Sequence, residues 1–463
     1  MASSKADWSK LPNELLGLIL KYLPIVDTIH FSAVCHSWNS LVSDKSYPLA
    51  PQLPWLMLPY IEGDEGKETR NFFNLSDTKL YQIKLPKEIR HSRCVGSSFG
   101  WLVILDVFCR VLLMNPFSGA IIHTPPTETF PDVLDVNLSK SSGEIDHYRI
   151  RRYGPYRECS ISPARLRVAL MTKALVTSDP SVDNNYMIMA IGFSGLAFCK
   201  AGADSWILLD RTRNSTKGCE DILYFNGLLY VLDAYGAIVA WDVNGLPLKE
   251  AKEVAPPLEE WSLRSPQTFG DWFIKKRYLV ESSGDLLQVL LWSREIKSRK
   301  NASESAACGV YRLDPSKNTW VEVGSLRDRL LFLSNNCAIS LSARNFPECR
   351  ENSIYFGEYF WKGWSLEGDP NVAHQNLGVF NLEERRFVYC SCPLQKIRSP
   401  PVWIALSHIF KAVYKTSTDS VNQHSSDALD SFVLWPLDGI LADLAKSSRF
   451  CQGHQEGGPS HFI

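Results

Sequence analysis

The feature that most constrains the fold is the near absence of helical periodicity after about residue 70. Short apolar runs rich in Val, Ile, Leu, Tyr, Phe and Trp follow one another, separated by Gly, Asn, Asp and Pro. Residues of the first group favour strands, and those of the second favour tight turns. Aromatic residues form 11% of the 463 residues, which is typical of a chain with a folded core. We therefore predict that this part of the chain is all-β.

The apolar runs recur as a four-stranded motif whose third strand ends in Asn or Asp. The side chain of that residue can cap the turn before the outermost strand, as expected for Asn115, Asp242, Asp314 and Asn381. Four copies lie at residues 100–126, 221–254, 278–324 and 352–390, and a weaker copy lies at 188–210. Repeated four-stranded units predict a β-propeller with insertions, for which we expect six blades. A β-sandwich is the alternative, because it also has short strands and frequent turns.

The first 47 residues have a different pattern. Leu15, Leu18, Ile19, Tyr22 and Leu23 recur at helical spacing, Pro12 suits a first helical turn, and Pro24 ends the helix. Asp27 is expected to cap a second helix, whose apolar positions continue through Val34 and Trp38. Three short helices cannot enclose a core of their own, and one stripe cannot hide all their leucines. Some of these leucines should therefore face another protein.

The pattern Leu11-Pro12-x-Glu14-Leu15-Leu16-x-x-Ile19-Leu20-x-x-Leu23-Pro24, followed by Val34-Cys35-His36-Ser37-Trp38, resembles an F-box. The resemblance implies docking on the Skp-type adaptor of an SCF ubiquitin ligase, and through it association with cullin and RING subunits. The adaptor-binding residues that it implies are Leu11, Pro12, Leu15, Leu16, Ile19, Leu20, Leu23, Val34, Cys35 and Trp38. A helical hairpin that merely caps its own domain is the alternative, although generic amphipathic patterns do not require both prolines and Trp38.

A second resemblance covers residues 71–403 loosely. The segments VLLMNPFSGAIIHTPP and YFNGLLYVLDAYGAIVAWDV, and above all residues 338–359 with the following LGVFNLEERRFVYC, are similar to the domain after the F-box in many plant F-box proteins. That domain is described as a kelch-like or KIB-type β-propeller. The Gly-Gly doublet of true kelch repeats is absent. The resemblance implies that the propeller binds the protein targeted for ubiquitination.

The expected organisation is an F-box at 5–47, a Pro-rich and charged linker at 48–70, and the propeller at 71–446. Insertions are expected near 131–173 and 297–308, and a disordered tail at 447–463. A final strand at 432–435 is expected to close the ring against an early strand.

The first insertion contains the one locally basic and aromatic patch of the chain. Residues 147–173 contain seven Lys and Arg residues but a single acidic residue, Glu158. The patch could grip an acidic partner or phosphates, or it could be a solvated loop between blades. The candidate partner-binding residues are Arg149, Arg151, Arg152, Tyr153 and Arg157.

Composition narrows the function further. With 49 Lys plus Arg against 50 Asp plus Glu, the net charge of -1 favours neither nucleic acid nor an anionic membrane as a partner. The twelve Cys are scattered, which is typical of reduced thiols in the cytoplasm or nucleus. No stretch is long and apolar enough to predict a membrane span, and no hydrolase, nucleotide-binding or zinc-protease motif occurs. We expect no metal and no cofactor.

The main hypothesis is a non-catalytic substrate receptor of an SCF-type ubiquitin ligase, with an unknown protein substrate. One alternative is a propeller enzyme, such as a hydrolase or a sugar-binding enzyme, in which the helices are a cap. A propeller can assemble a site from distant loops without a local motif. Another alternative is an F-box scaffold that acts outside SCF complexes.

Overall fold

The computed structural model describes residues 10–44, 46–47, 49–58, 68–86, 89, 92–141, 143–151, 158–193, 195–210, 218–244, 252–258, 272–295, 304–361, 373–391, 401–406 and 432–433. Three short helices come first and a ring of β-sheets follows. The helices are α1 (Asn13–Leu20), α2 (Ile25–Ser32) and α3 (His36–Ser43). Pro12 precedes α1, and its carbonyl accepts the N–H groups of Leu15 and Leu16, each at 3.1 Å. Proline suits this position because its missing N–H would have no partner inside the helix.

The cap of α2 differs from the prediction. Pro24, not Asp27, holds the N-cap position, and Asp27 lies in the first turn of the helix. Proline has no polar side chain to accept an orphan N–H, so the cap of this helix comes from another part of the chain, as described below.

The strands form six sheets of four or five strands, which are the blades of a propeller, and one smaller sheet. The closing blade begins with β1 (Trp55–Met57), β2 (Thr69–Asn74) and β3 (Lys79–Lys84). Blade I is β4 (Arg93–Ser98), β5 (Trp101–Leu105), β6 (Val111–Met114) and β7 (Ile121–His123). The smaller sheet is β8 (Val133–Leu138), β9 (Ile145–Arg151) and β10 (Glu158–Ile161), and the helix α4 (Pro163–Ala169) follows it.

Blade II is β11 (Met171–Val176), β12 (Met187–Gly192), β13 (Leu196–Lys200) and β14 (Ile207–Asp210). Blade III is β15 (Cys219–Phe225), β16 (Leu228–Asp233), β17 (Ile238–Asp242) and β18 (Lys252–Ala255). Blade IV is β19 (Trp272–Ser282), β20 (Asp285–Glu295), β21 (Glu304–Asp314) and β22 (Thr319–Glu322). Blade V is β23 (Arg329–Ser334), β24 (Cys337–Ser342), β25 (Ser353–Trp361), β26 (Ala373–Asn381) and β27 (Arg386–Ser391). The strands β28 (Val402–Ile404) and β29 (Phe432–Val433) complete the closing blade.

The ring closes by joining distant parts of the chain in one blade. The order in the closing blade is β28-β1-β2-β3-β29, so β28 is its inner strand and β29 its outer edge. The inner strands β4, β11, β15, β19, β24 and β28 contact one another in a closed circuit. Both the propeller and the expected number of six blades are therefore confirmed. The last strand predicted within 432–435 pairs with β3, but the inner position belongs to β28.

Buried charges tie three inner strands together. The ammonium of Lys173 in β11 pairs with the carboxylate of Asp221 in β15, and both side chains are almost fully buried. Asp221 also accepts the N–H of Leu279 in β19 at 2.9 Å. Glu220 accepts both the backbone N–H and the guanidinium of Arg277, at 2.8 and 2.9 Å. A buried charge is tolerated when a countercharge and hydrogen bonds compensate for lost hydration, and both are provided here.

Several boundaries differ from those expected. The expected linker at 48–70 contributes β1 and the start of β2, because β1 pairs with β28 some 350 residues later in the chain, which no local signal reveals. The first insertion forms β8 to β10 and α4, whereas Met171 to Lys173 already belong to β11. The strand β21 begins at Glu304, inside the second expected insertion, and residues 297–303 lie outside the described residues. The expected tail lies outside them as well. Within the described ranges, no helix is both long and apolar enough to span a bilayer.

Candidate adaptor-docking site

The helix α1 carries apolar residues on two sides, and only one side is buried. Leu16 and Leu20 are fully buried, whereas Leu15 is 48% exposed and Ile19 is 42% exposed. Leu18 and Tyr22 are exposed beside them. Successive residues turn by about 100° around a helix, so positions 15, 18 and 19 share a face that positions 16 and 20 cannot share. Tyr22 is exposed two residues beyond the end of α1. We call the row Leu15, Leu18, Ile19 and Tyr22 the exposed row.

The structure sorts the predicted adaptor-binding residues into three groups. Pro12, Leu15, Ile19 and Val34 are exposed. Leu11, Leu23, Cys35 and Trp38 are half-buried, and the Trp38 ring stacks on Phe31 with a centroid distance of 4.3 Å. Leu16 and Leu20 must be removed from the predicted contact set, because they pack inside the chain's own core. Leu18 and Tyr22 were not among the predicted adaptor-binding residues, although their spacing from Leu15 by three and seven residues indicates the same side of a helix.

The inner side of α1 depends on a glycine. Gly17 lies against the ring of Tyr47, which follows α3, and a Cβ built on Gly17 would overlap the ring atoms Cδ1 and Cε1. A side chain at position 17 would therefore push α1 away from the segment that leads to the propeller. The glycine allows a close approach of helix and ring, and this orients the exposed row outward.

The missing cap of α2 is supplied by Gln52, which lies just before β1. Its Oε1 accepts the N–H of Ile25, the first residue of α2, at 3.1 Å. Its Nε2 donates to the carbonyl of Ala50 at 3.0 Å and to that of Leu23 at 3.4 Å. An N-terminal orphan N–H of the F-box-like helices is thus satisfied by a residue of the propeller entry.

The helices and the propeller also share a core. Leu16, Leu20 and Ile25 belong to the same buried apolar cluster as Leu53 and Trp55. With Gln52 and Tyr47, this cluster fixes how the helices sit on the closing blade. The exposed row is therefore held in one orientation relative to the propeller.

Two charges of the basic patch, at Arg149 and Lys173, are paired within the chain. The guanidinium of Arg149 lies between the carboxylates of Asp135 and Glu158, at 3.5 and 3.6 Å. Arg151 is half-buried, and Arg152, Tyr153 and Arg157 lie outside the described residues. Lys173, at the end of the patch, is buried with Asp221. The described part of the patch offers less free positive charge than its composition indicated.

The described residues include no group of three or more His, Cys, Asp or Glu that could hold a metal ion. Burial raises the pKa of the Cys109 thiol to about 12, so this thiol stays protonated near neutral pH and is a poor nucleophile. Its Sγ donates to the carbonyl of Pro163 at 2.8 Å. A packing role accounts for this contact.

Comparison with known families agrees with the geometry. The family model of the KIB1-4 beta-propeller matches residues 72–381, and that of the F-box domain matches residues 8–48. This chain belongs to the KIB1-4 β-propeller family. It is a plant F-box protein with a KIB-type propeller, since its relatives are Arabidopsis F-box proteins.

Two relatives from Arabidopsis thaliana illustrate the extent of the match. The F-box protein SKIP23 is 27% identical, and the aligned region covers 86% of this chain and 95% of that protein. The F-box protein At2g17036 is 25% identical, over 90% of this chain and 99% of that protein. Among solved structures, an oligogalacturonate lyase in complex with manganese matches with a TM-score of 0.29 at 10% identity, over 70% of each chain. An F-box domain in general binds a Skp-type adaptor, and F-box relatives indicate a non-catalytic adaptor role.

Proposed function

We propose that this protein is the substrate-recognition subunit of an SCF-type ubiquitin ligase, acting in the cytoplasm or nucleus. The observation that carries the proposal is the exposed row on α1, opposite a fully buried row that anchors the same helix. Leu15 and Ile19 leave apolar surface in water, and covering it with an adaptor is favourable in proportion to the area buried. Cullin and RING subunits would join through that adaptor.

In this role the chain contributes positioning and not bond making. The propeller holds a protein substrate, the helices hold the adaptor, and ubiquitin transfer is accelerated because the substrate lysine is kept at high effective concentration. A fixed orientation between helices and propeller serves that task, since it limits the volume that the substrate explores. The contacts of Gln52 and Tyr47 supply this fixed orientation.

The test is co-purification of a Skp-type adaptor with the full chain and with a double variant, Leu15→Asp with Ile19→Asp. Two charges in the exposed row should abolish co-purification, because a buried unpaired carboxylate opposes docking. The matched control is Ile207→Asp with Val321→Asp, which charges two residues of similar exposure on the propeller. Both variants should unfold at the temperature of the unaltered chain. Undiminished adaptor binding by the first variant would refute the docking face.

A ubiquitin-ligase assay of the purified complex then separates two cases. Ubiquitin chains formed on the receptor or a bound protein support the proposed role. Adaptor binding without any transfer, in the presence of cullin, RING and conjugating enzyme, would indicate an F-box scaffold that acts outside ubiquitination.

A further inference from the structure

The turn between β5 and β6 presents the most exposed large apolar side chain of the described propeller residues. Phe108 is 64% exposed, and its neighbour Val107 is exposed beside it. No other Phe or Trp is exposed in the part of the chain that the structure describes. Aromatic side chains, Phe among them, are enriched in the cores of protein interfaces.

The turn that carries Phe108 is held rigidly. The buried carboxylate of Asp106 accepts the N–H groups of Phe108 and Arg110 at 2.9 and 2.8 Å, and the guanidinium of Arg110 at 2.6 Å. Cys109 adopts a φ of 66°, in the left-handed region that favours glycine, and its side chain is fully buried. Strain of this kind persists only where the surroundings impose it, and it is concentrated at functional positions. The turn thus displays Phe108 in a preorganised conformation, which lowers the entropy lost on binding.

One positive charge, which is paired with Asp106, lies over the exposed ring, and the neighbouring helix α4 carries another. The guanidinium of Arg110 lies 5.4 Å from the centroid of the Phe108 ring. Cys109 links the turn to α4, because its Sγ donates to the carbonyl of Pro163, the first residue of that helix. The helix α4 carries Arg165, which is exposed and has no ion pair among the described residues, and Val168, which is also exposed. Arg165 is the charge of this group that remains available to a partner.

This turn lies at the end of the ring away from the helices. The chain enters β1 at Trp55, and the ring of Trp55 lies 5.5 Å from Phe117, which follows β6. Trp55 and Phe117 therefore share one end of the propeller. The turn with Phe108 comes just before β6, and Phe117 comes just after it. The two therefore lie at opposite ends of blade I. A protein held at Phe108 would leave the helices free for an adaptor.

We propose that Phe108, with Val107 and Arg165, is the docking anchor for the substrate, a folded protein with an apolar pocket bordered by Asp or Glu. Phe108 projects from a convex turn, so the partner must offer an apolar pocket to receive it. The positive charge of Arg165 would pair with carboxylates at the edge of that pocket. This inference rests on the proposed function, which it deepens by naming the surface and the chemistry of the substrate.

The test uses the full chain in plant cells under proteasome block, with Phe108→p-benzoyl-L-phenylalanine as a photocrosslinking probe. The matched control carries the same probe at Val321, which is exposed on the outer strand of blade IV. We expect a protein adduct specific to position 108, whose partner is identified by mass spectrometry and purified. An absence of any adduct specific to position 108, or an adduct of this chain with itself, would overturn the inference.

Binding of the identified partner is then measured with purified variants that keep the adaptor. Phe108→Ser should weaken binding by about 30-fold or more, as for a buried aromatic anchor. Arg165→Glu should weaken binding about tenfold and reduce its salt dependence, whereas Val321→Ser should leave it unchanged. Equal binding by Phe108→Ser and the unaltered chain would also overturn the inference. A partner that binds through Phe108 but is neither ubiquitinated nor stabilised by proteasome block would instead contradict the proposed function.

Discussion

Gly17 of α1 lies so close to the ring of Tyr47 that any side chain on Gly17 would overlap that ring. The contact joins the first helix to the segment that leads into the propeller. It explains why a residue with low helix propensity stands in the middle of an eight-residue helix. The geometry of the exposed row therefore depends on a residue that lacks a side chain.

The contact predicts that Gly17→Ala destabilises the chain when Tyr47 is present and stabilises it when Tyr47 is replaced by Ala. Gly17→Ala alone should lower the free energy of unfolding by about 1 kcal/mol, because overpacking costs roughly 1–3 kcal/mol and Ala regains about 1 kcal/mol of helix propensity. With Tyr47→Ala already present, Gly17→Ala should stabilise instead, since the clash is gone. Urea denaturation of the four chains measures both values. Destabilisation of equal size in both backgrounds would contradict the proposed contact.

The two sides of α1 should respond oppositely to truncation. Leu16→Ala should lower the free energy of unfolding by about 2–5 kcal/mol, as for a buried leucine. Leu15→Ala should change it by less than about 0.5 kcal/mol, but should weaken adaptor binding. Thermal unfolding and adaptor titration of both variants test this pair. Equal stability of the two variants would show that the buried row is not part of the core.

The cap provided by Gln52 is testable by hydrogen exchange. Gln52→Leu removes the acceptor for the Ile25 N–H, and loss of an N-cap costs about 0.5–2 kcal/mol. Amides in the first turn of α2 should then exchange faster, by about tenfold for 1.4 kcal/mol. Gln52→Glu is the matched control, because it loses the Nε2 donor as Gln52→Leu does but keeps an oxygen acceptor for the Ile25 N–H. Identical exchange in Gln52→Leu and the unaltered chain would mean that the cap contributes nothing to α2.

The buried ion pair should show strong coupling. Lys173→Met leaves the Asp221 carboxylate buried without a countercharge, and Asp221→Asn does the same to the Lys173 ammonium. Each variant alone should lower the free energy of unfolding by about 3–5 kcal/mol. The double variant should cost clearly less than the sum, because neither charge remains. Asn is used at position 221 so that an oxygen can still accept a backbone N–H. Additive effects in the double-mutant cycle would indicate that the two side chains do not interact.

The sequence predicted the helices and strands that depend on residues close together in the chain. The spacing of Leu15, Leu18 and Ile19 predicted a helix, and the four-strand repeats predicted a propeller, both as observed. The helix ends at Leu20, however, before Tyr22 and earlier than the predicted stop at Pro24. The predicted cap at Asp27 was wrong, because Pro24 takes the position and Gln52 supplies the acceptor from 27 residues away. The free positive charge of the basic patch was overestimated, because strand pairing brings the carboxylates of Asp135 and Glu158 close to Arg149. A count of charges along the chain cannot show such pairing.

By itself, the sequence determined the periodicities: helical spacing at the start, alternating short strands afterwards, and the turn residues between them. These depend on neighbours within a few residues, so backbone geometry and local side-chain chemistry decide them. Only the tertiary structure decided which leucines of α1 are buried, that β28 and not a later strand closes the ring, and that Phe108 stands exposed at the end opposite the helices. Those outcomes depend on contacts between residues far apart in the chain, which form when the whole ring closes and which no local pattern encodes.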